Sequence, residues 1–500
     1  MKDIVYAIPS HKRENIIVER TLKFLKEHKV DYNSIYIFVS NKNYNKYKKK
    51  INKDINLIVS IEGVANNREF ISNYFQQKQK IVYLDDDIKS VEILNNDKLE
   101  PIENLRSEAE YVFGLLEGNK TALCGVYPCR NAFFMKQGFT TDLKFCCGAL
   151  RFTINDRFCE RRKYTRLEDY ETSIKYFKKY GKIIRLNYMT INCDYGKLQG
   201  GMQDNTDRSY GKKLLECERF RWQYADYCKI WRNKKRVEIK FKRKIIQPEV
   251  NTLWIGNKLN PLSRLAIKSW IDNGYKVNLY LYEDLDLEPI VSNANVVIRD
   301  ANEIIELKNT KGTLDILPFS DVWRYKLLYE KGGTWVDADM IILEHIPAGE
   351  EIIISSEATL QSGAYKSKRF SCANIGVLRF ERGDELLEEV IKRVENKKRR
   401  SVRTDNMKVF QRTICDSYIY DQFVLDPLIF CPLHWWNAKE AFYTTEYKTK
   451  YSVEQLSNEQ MLKNSFCIHL WNSIVIQKHK IDFDNIKDKS LFSLLKELFA

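Results

Sequence analysis

Metal-binding cysteine pairs, histidines and long apolar runs are what this sequence lacks. Its 12 cysteines include no C-x-x-C pair, and 500 residues hold only 6 histidines. That excludes the usual structural zinc modules. Cys146 and Cys147 are adjacent and poorly placed to pair with each other, so the cysteines are expected to be mostly free thiols in a reducing compartment. No apolar run reaches the roughly 18 residues that a membrane span requires. The opening stretch, MKDIVYAIPS, is too soon interrupted to read as a signal peptide. A cytoplasmic setting is expected, the host cytoplasm if the protein is viral. The second half also lacks net charge. Residues 241–500 carry 36 Lys and Arg against 36 Asp and Glu, whereas residues 1–240 carry 46 against 31. The whole excess of +15 therefore sits in the first half. A basic half beside a neutral one points to a polyanionic partner for the first, nucleic acid among them. Phosphate handling or a lysine-rich composition would give the same excess.

What is present concentrates in SDVWRYKLLYEKGGTWVDADM, Ser320 to Met340. Val322, Tyr325, Leu328 and Tyr329 recur at helical spacing. Gly332 and Gly333 stop that helix, because glycine takes the left-handed cap at little cost. Thr334 to Val336 then run as a strand into Asp337 and Asp339. Two carboxylates one residue apart suit a hard divalent cation, which keeps waters and takes further ligands from a substrate diphosphate. A nucleotide-sugar site is the expectation. In the same half, Val250 to Gly256 reads as a strand, NTLWIG, whose end at Trp254 and Gly256 offers backbone for a nucleotide to lie against. Leu262 to Ile271 is an amphipathic helix.

The first half opens on the strand DIVYAI, which breaks at Pro9-Ser10 into His11, Lys12 and Arg13. Polar residues at the C-terminal end of a strand mark where α/β sheets bind ligands. A helix over Glu14 to Val30 and a strand over Ile35 to Val39 follow. Asn56 to Ser60 is a further strand, and after it EGVANNR turns into a helix whose first turns carry Asn67 and Arg68, residues suited to phosphate. Lys80 to Leu84 runs into Asp85-Asp86-Asp87. Three carboxylates at the end of a buried strand repel one another unless a cation joins them, so Asp85 and Asp87 are candidate metal ligands. Glu168 and Asp169 open a helix that runs to Tyr180 and is capped by Gly181. They either satisfy the helix dipole or serve as a general base for an acceptor hydroxyl. A polar loop with Asp194, Gly200, Gly201 and Arg208 follows. Near the seam at about residue 240, Trp222 to Arg232 reads as a helix. Lys234, Lys235, Arg236, Lys240, Lys242, Arg243 and Lys244 come after it, as a ledge for a nucleic-acid backbone or as a solvated linker.

Two family resemblances organise these pieces. IPSHKR, EGVANNR, IVYLDDDI, RLEDYETSIKYFKKYG and LQGG, over roughly residues 1–215, resemble the TET-associated glycosyltransferases of phages and some eukaryotes. That resemblance implies a GT-A fold and sugar transfer to a hydroxylated or hydroxymethylated base in DNA. It casts Asp85 and Asp87 as metal ligands and Glu168 or Asp169 as the base. NTLWIG, SWIDNGYKVNLYLYED, SDVWRYKLLYEKGGTWVDAD and CIHLWN, over roughly residues 245–475, resemble the DXD-containing sugar transferases of glycosyltransferase family 32. That resemblance implies a GT-A fold, a nucleotide-sugar donor such as a UDP- or GDP-sugar, Mn²⁺ (or Mg²⁺) and retention at the anomeric carbon. Asp337 and Asp339 would bind the metal and diphosphate. Asp321 and Arg324, one helical turn apart, would contact the donor or simply pair with each other. His469 of HLWN would complete the metal site, and an imidazole ligand favours Mn²⁺. Asn374 in CANIGVLRF, and Asp421-Gln422, would face the acceptor.

The sequence therefore leads to an α/β chain of two tandem GT-A domains, 1–240 and 241–500, acting as a bifunctional transferase. The first domain, with His11, Arg13, Asn67 and Arg68 toward its donor, would glycosylate a modified DNA base, and the second would extend the sugar. A polysaccharide or glycoprotein acceptor, or one module kept only for binding, are the alternatives.

Overall fold

The computed structural model describes residues 4–194, 209–285, 295–307, 316–358, 372–396, 404–417, 419–448 and 454–499. Gly200, Gly201 and Arg208 lie outside the described residues. The chain divides into two units: residues 1–221 with 227–244, and residues 222–226 with 245–500. No helix among the described residues is long and apolar enough to cross a membrane.

The first unit is built on an eight-stranded sheet in the order Asn56–Ser60, Ile35–Ser40, Ile4–Pro9, Lys80–Leu84, Leu150–Ile154, Leu123–Val126, Ile184–Leu186, Phe139–Thr140. Its first four strands are parallel. The period-2 alternation of a doubly covered sheet is visible in DIVYAI. Val5 and Ala7 pack with Phe38, Ile71 and Tyr83 on one face, while Tyr6 and Ile8 pack with Val82, Phe113 and Leu116 on the other. Because the strands run parallel, Pro9, Ser40, Ser60 and Leu84 end along one edge. Leu150–Ile154 runs antiparallel to Lys80–Leu84 with Leu150 opposite Leu84, so the chain before Leu150 meets that same edge.

The second unit repeats this plan with different residues. Its six-stranded sheet has the order Val296–Asp300, Lys276–Leu281, Glu249–Trp254, Gly333–Val336, Cys372–Phe380, Ile353–Glu357. The first four strands are parallel, and Cys372–Phe380 runs antiparallel to Gly333–Val336. A separate pair joins Met340–Ile342 to Cys467–His469. Both sheets are thus α/β, with a parallel strand that ends in carboxylates and an antiparallel strand beside it.

The helix expected over Trp222 to Arg232 is not there. The helix Tyr210–Tyr224 stops, and Cys228–Arg232 is a strand paired antiparallel with Val237–Phe241. Alternation outweighs the aromatic content: Cys228, Val237 and Ile239 are buried while Lys229, Trp231 and Lys240 are exposed. Asn233 fixes the turn, its Oδ1 accepting the N–H groups of Lys235 at 2.9 Å and Arg236 at 2.8 Å.

Candidate active site

The second unit's carboxylates are placed by a helix, a cap and a strand in succession. The helix Ile316–Lys331 ends at Gly332, whose φ of 68° is left-handed and whose N–H bonds the Leu328 carbonyl at 2.8 Å. Gly333–Val336 then delivers Asp337, whose N–H is held by the Gly376 carbonyl at 2.8 Å. Three residues on, Met340 sits opposite His469. That register brings His469 Nε2 to 3.3 Å from Asp339 Oδ1. Asn472 N–H donates to Asp339 Oδ2 at 2.6 Å. The helix Pro261–Asp272 and the residue after it fasten the strand from behind. Trp270 Nε1 donates to the Met340 carbonyl at 2.7 Å, Ser269 Oγ accepts from Ile342 N–H at 2.9 Å, and Asn273 Nδ2 donates to the Ile342 carbonyl at 2.7 Å.

Asp337, Asp339 and His469 each offer one ligand atom, all within 4.8 Å of one another. His469 stacks on Trp471 with ring centroids 3.9 Å apart, and its Nδ1 is buried with no hydrogen-bond partner among the described residues. Burial favours the neutral ring, but Asp339 and Asp337 outweigh it and raise the His469 pKa. Burial pushes Asp337 above the usual carboxylate range against the pull of Arg324. Burial opposes ionisation of Asp339 too, yet His469 and the Asn472 N–H hold it low. Two carboxylate oxygens and an imidazole nitrogen are a donor set for Mn²⁺ or Mg²⁺, with the imidazole leaning toward Mn²⁺. The residues present fit such an ion.

Around this centre Arg324 Nη1 donates to Asp337 Oδ1 at 2.6 Å and to the Ile375 carbonyl at 2.9 Å. Its guanidinium lies 4.9 Å from the centre of the Trp335 ring and reaches Asp321 Oδ1 at 3.3 Å. Asp321 and Arg324 therefore pair, and Arg324 is also bonded to Asp337 of the carboxylate cluster. Trp335 Nε1 adds a hydrogen bond to Asp337 Oδ1 at 2.8 Å. Trp254 ends the Glu249–Trp254 strand, and Gly256 lies two residues past it. Trp254 Nε1 is a buried donor with no partner among the described residues, and Gly256 has φ 125°. Asn374 is buried, accepts the Gly376 N–H at 2.7 Å and donates to Glu357 Oε2 at 2.6 Å. Asp421 and Gln422 lie in the short turn Tyr420–Phe423, with Gln422 Nε2 donating to the Ile419 carbonyl at 3.1 Å.

In the first unit the acidic strand end is met by arginines. Arg13 Nη1 reaches Asp86 Oδ1 at 2.8 Å and Asp87 Oδ2 at 3.4 Å. Asp86 also accepts from Ser10 Oγ at 2.5 Å, and Tyr47 OH holds Ser10 Oγ at 2.7 Å and Arg13 N–H at 2.8 Å. Arg68 is a hub for three carboxylates: Asp85 Oδ1 at 3.1 Å, Asp169 Oδ1 at 2.8 Å, and Glu168 Oε1 in a short bond. Gly148 makes room for it, since a Cβ there would lie 1.8 Å from Arg68 Nη1. Asn67, one residue before, is buried and its Oδ1 has no partner among the described residues. His11 Nδ1 sits 3.4 Å from Asn43 Nδ2.

Arg13 and Arg68 thus bring positive charge to all three aspartates. Among the described residues, neither Asp85 nor Asp87 joins a compact group of three metal-capable side chains of the kind formed by Asp337, Asp339 and His469. The paired candidates Glu168 and Asp169 also separate. Burial opposes ionisation of Glu168, but Arg68 and Arg162, the latter with Nε 2.9 Å from Oε2, hold its pKa down. Burial and the neighbouring Glu168 instead push Asp169 up, to about 7, and its side chain is 25% exposed. A base must be accessible and poised near working pH, which favours Asp169 over Glu168.

Several participants escaped the sequence reading. Ser269, Trp270 and Asn472 act through backbone contacts that no local pattern announces. Glu357 lies close enough to raise the His469 pKa. Glu160 is fully buried between Arg151 and Arg162, at 2.8 and 2.7 Å, and anchors the arginine network.

Comparison with known proteins bears on the second half. Residues 261–359 match the glycosyltransferase sugar-binding region containing the DXD motif, and residues 380–495 match the alpha 1,4-glycosyltransferase conserved region. No curated protein matches the chain. Among solved structures, the PaToxG glycosyltransferase is 12% identical over 42% of this chain and 79% of its own, with TM-score 0.27. An active-site mutant of LgtC is 11% identical over 44% and 86%, with TM-score 0.24. The 4-diphosphocytidyl-2C-methyl-D-erythritol synthase of Anaerococcus prevotii DSM 20548 is 8% identical over 44% and 96%, with TM-score 0.24. At such scores none of these structures bears on substrate or mechanism. The two family models thus match the second half in succession, the first across Asp337 and Asp339 and the second across His469.

Proposed function

We propose that the chain is a bifunctional, nucleotide-sugar-dependent hexosyltransferase. In this reading the first unit glycosylates a hydroxylated or hydroxymethylated base in DNA, and the second adds a further sugar with retention. The observation that carries the second activity is the Asp337, Asp339 and His469 cluster with Arg324 against it. A divalent cation, Mn²⁺ by preference, would be held by those three side chains and would offset the charge that grows on the departing diphosphate. Arg324, anchored by Asp337 and the Ile375 carbonyl, places a fixed guanidinium beside that charge. Asp321 orients Arg324, and Trp254 Nε1 and the backbone at Gly256 are a resting place for the nucleotide. Asn374 lies on the acceptor side.

For the first unit the support is the charge split, the helix N-terminal residues Asn67 and Arg68, and the poised Asp169. His11, Arg13, Asn67 and Arg68 line the edge where the parallel strands end and would face the donor. Asp169 would take the acceptor hydroxyl's proton and thereby invert the anomeric centre. The free cysteines are in keeping with a reducing, cytoplasmic compartment, where such DNA would be met. The deciding experiment incubates hydroxymethylated and unmodified duplex DNA with the full chain, Mn²⁺ and a panel of UDP- and GDP-sugars, and reads mass shifts of the nucleosides. One hexose added, then a second, is the expected outcome. Sugar transfer to a polysaccharide or glycoprotein with none to DNA would overturn the acceptor while leaving the transferase.

A further inference from the structure

The hairpin Cys228–Phe241 has no part in either candidate site, yet its chemistry is specialised. Between Lys229 and Lys244 there are nine Lys and Arg and one acid, Glu238. All nine are exposed, and none forms an ion pair among the described residues. Lys229 stands directly opposite Lys240 on the outward face. Like charges directly opposite on a strand pair destabilise it, so this face is poorly arranged for stability alone. The inward face is well built: Cys228, Val237 and Ile239 are buried, and Phe241 meets Tyr170 edge-on at 5.5 Å. The turn is held by Asn233, and Tyr210 OH donates to the Asn233 carbonyl at 3.3 Å. The ribbon is therefore a fixed projection carrying unneutralised charge.

We infer that this hairpin is a β-ribbon that docks in the major groove of duplex DNA, with Lys234, Lys235 and Arg236 at its tip contacting phosphates. The inference rests on the reading of DNA as the first unit's acceptor. Shape supports it, because the major groove of B-DNA, about 12 Å wide, admits a two-stranded ribbon. Charge supports it, because an unpaired row of cations gains by releasing the counterions condensed on a duplex. An anionic membrane would attract the same charge, but insertion into it would call for a free apolar wedge. The one large exposed aromatic of the ribbon, Trp231, is instead covered by Lys240, whose Nζ lies 4.4 Å from the ring centroid.

The test measures binding of the full chain to a short labelled duplex by fluorescence anisotropy over a range of salt. It compares the wild type with Lys234→Ala/Lys235→Ala/Arg236→Ala and with the charge-keeping Lys234→Arg/Lys235→Arg/Arg236→Lys. Losing three phosphate contacts should flatten the slope of log affinity against log salt by roughly 2 to 3. It should also weaken binding at least tenfold at moderate salt. The charge-keeping variant should bind as the wild type does. Thermal melting and hydrolysis of the nucleotide sugar without acceptor should be unchanged in both. An unaltered slope in the alanine variant, with wild-type DNA binding intact, overturns the hairpin's role and leaves the DNA reading standing. Wild-type protein with no affinity for duplex overturns both. An alanine variant that loses binding to phosphatidylserine vesicles but keeps duplex binding makes the surface a membrane contact and overturns the inference.

Discussion

The two units bring carboxylates to the end of a parallel strand in nearly the same way and then neutralise them by different means. In the second unit Asp337 and Asp339 meet one arginine and one histidine, and three ligand atoms are left converging within 4.8 Å. In the first, Asp85, Asp86 and Asp87 meet Arg13 and Arg68, and Arg68 is further bound to Glu168 and Asp169. A guanidinium never gives up its charge and holds carboxylates in a fixed planar fork. It closes an acidic strand end in a way that a histidine, which can lose its proton to make room for a metal, does not. A run of aspartates after a strand is therefore a statement about charge, and only the identity of the nearby cation decides between an ion-paired scaffold and a metal site.

The largest expected effect breaks or keeps this contrast directly. Asp337→Asn or Asp339→Asn should remove Mn²⁺ binding, followed by the EPR signal of the free ion, and should cut the second unit's sugar transfer by about three orders of magnitude, because the metal contributes several kcal/mol to the transition state. Asp85→Asn should leave the Mn²⁺ stoichiometry unchanged. If Asp85→Asn lowers that stoichiometry, the first unit holds a metal too and the contrast collapses.

Next in size is the division between Glu168 and Asp169. Glu168 is only 5% exposed at its side chain and is gripped by Arg68 and Arg162. Its conversion to Gln takes one carboxylate from two buried guanidinium groups, Arg68 keeping Asp85 and Asp169 and Arg162 keeping Glu160. Breaking a buried ion pair costs up to about 3–5 kcal/mol, so the first unit's Tm should fall. Asp169→Asn, at a partly exposed position, should melt near the wild-type temperature yet lose first-unit transfer by about 10² to 10⁴. Equal melting losses in both variants would mean that the two carboxylates share one structural job.

The same pair predicts a pH profile. Asp169, raised to about 7 by burial and Glu168, accepts a proton only once ionised. First-unit transfer should therefore rise with pH through about 7. Stability moves differently. Glu160, buried but held down to about 2 by Arg151 and Arg162, contributes stability that is present above its usual pKa of 4.5 and is lost as pH falls toward 2. A Glu160→Gln variant should be less stable at neutral pH and should lack that acid dependence.

The sequence was most informative where structure is local. The cap at Gly332, the strand after it and the spacing of Asp337 and Asp339 involve neighbours within a few residues, and helix periodicity, glycine and alternation report such neighbours. His469 was found through the motif HLWN, since 130 residues of chain separate it from Asp339 (the register between Met340 and His469 closes that gap). The Arg68 hub was out of reach. Its partners Asp85 and Glu168 lie 17 and 100 positions away, and nothing in EGVANNR says which acids its arginine will meet. The hairpin at Cys228 is legible in principle: its aromatics and charges suggest a helix, but the two-residue alternation of Val237, Ile239 and Phe241 is that of a strand.

The smallest effects compare the two units at their helix caps. Gly181 closes the helix Glu168–Tyr180 with φ 72°, and Gly332 closes Ile316–Lys331 with φ 68°. Their backbones are nearly identical, so replacing either glycine by alanine carries the same left-handed penalty, about 1–2 kcal/mol. Their surroundings are not. A Cβ on Gly181 meets nothing within 4 Å, whereas one on Gly332 would sit 2.8 Å from the Arg382 backbone nitrogen and 3.3 Å from the Phe380 carbonyl oxygen. Gly181→Ala should therefore cost only the backbone term. Gly332→Ala should cost more, because the chain at Glu381 and Arg382, just past the Cys372–Phe380 strand, must move. As Gly376 of that strand holds the Asp337 N–H, the shift should also weaken Mn²⁺ binding severalfold. Chemical denaturation of both variants, with Mn²⁺ affinity measured on each, separates the two costs. Equal destabilisation with unchanged metal affinity would show that the cap and the carboxylates are not mechanically linked.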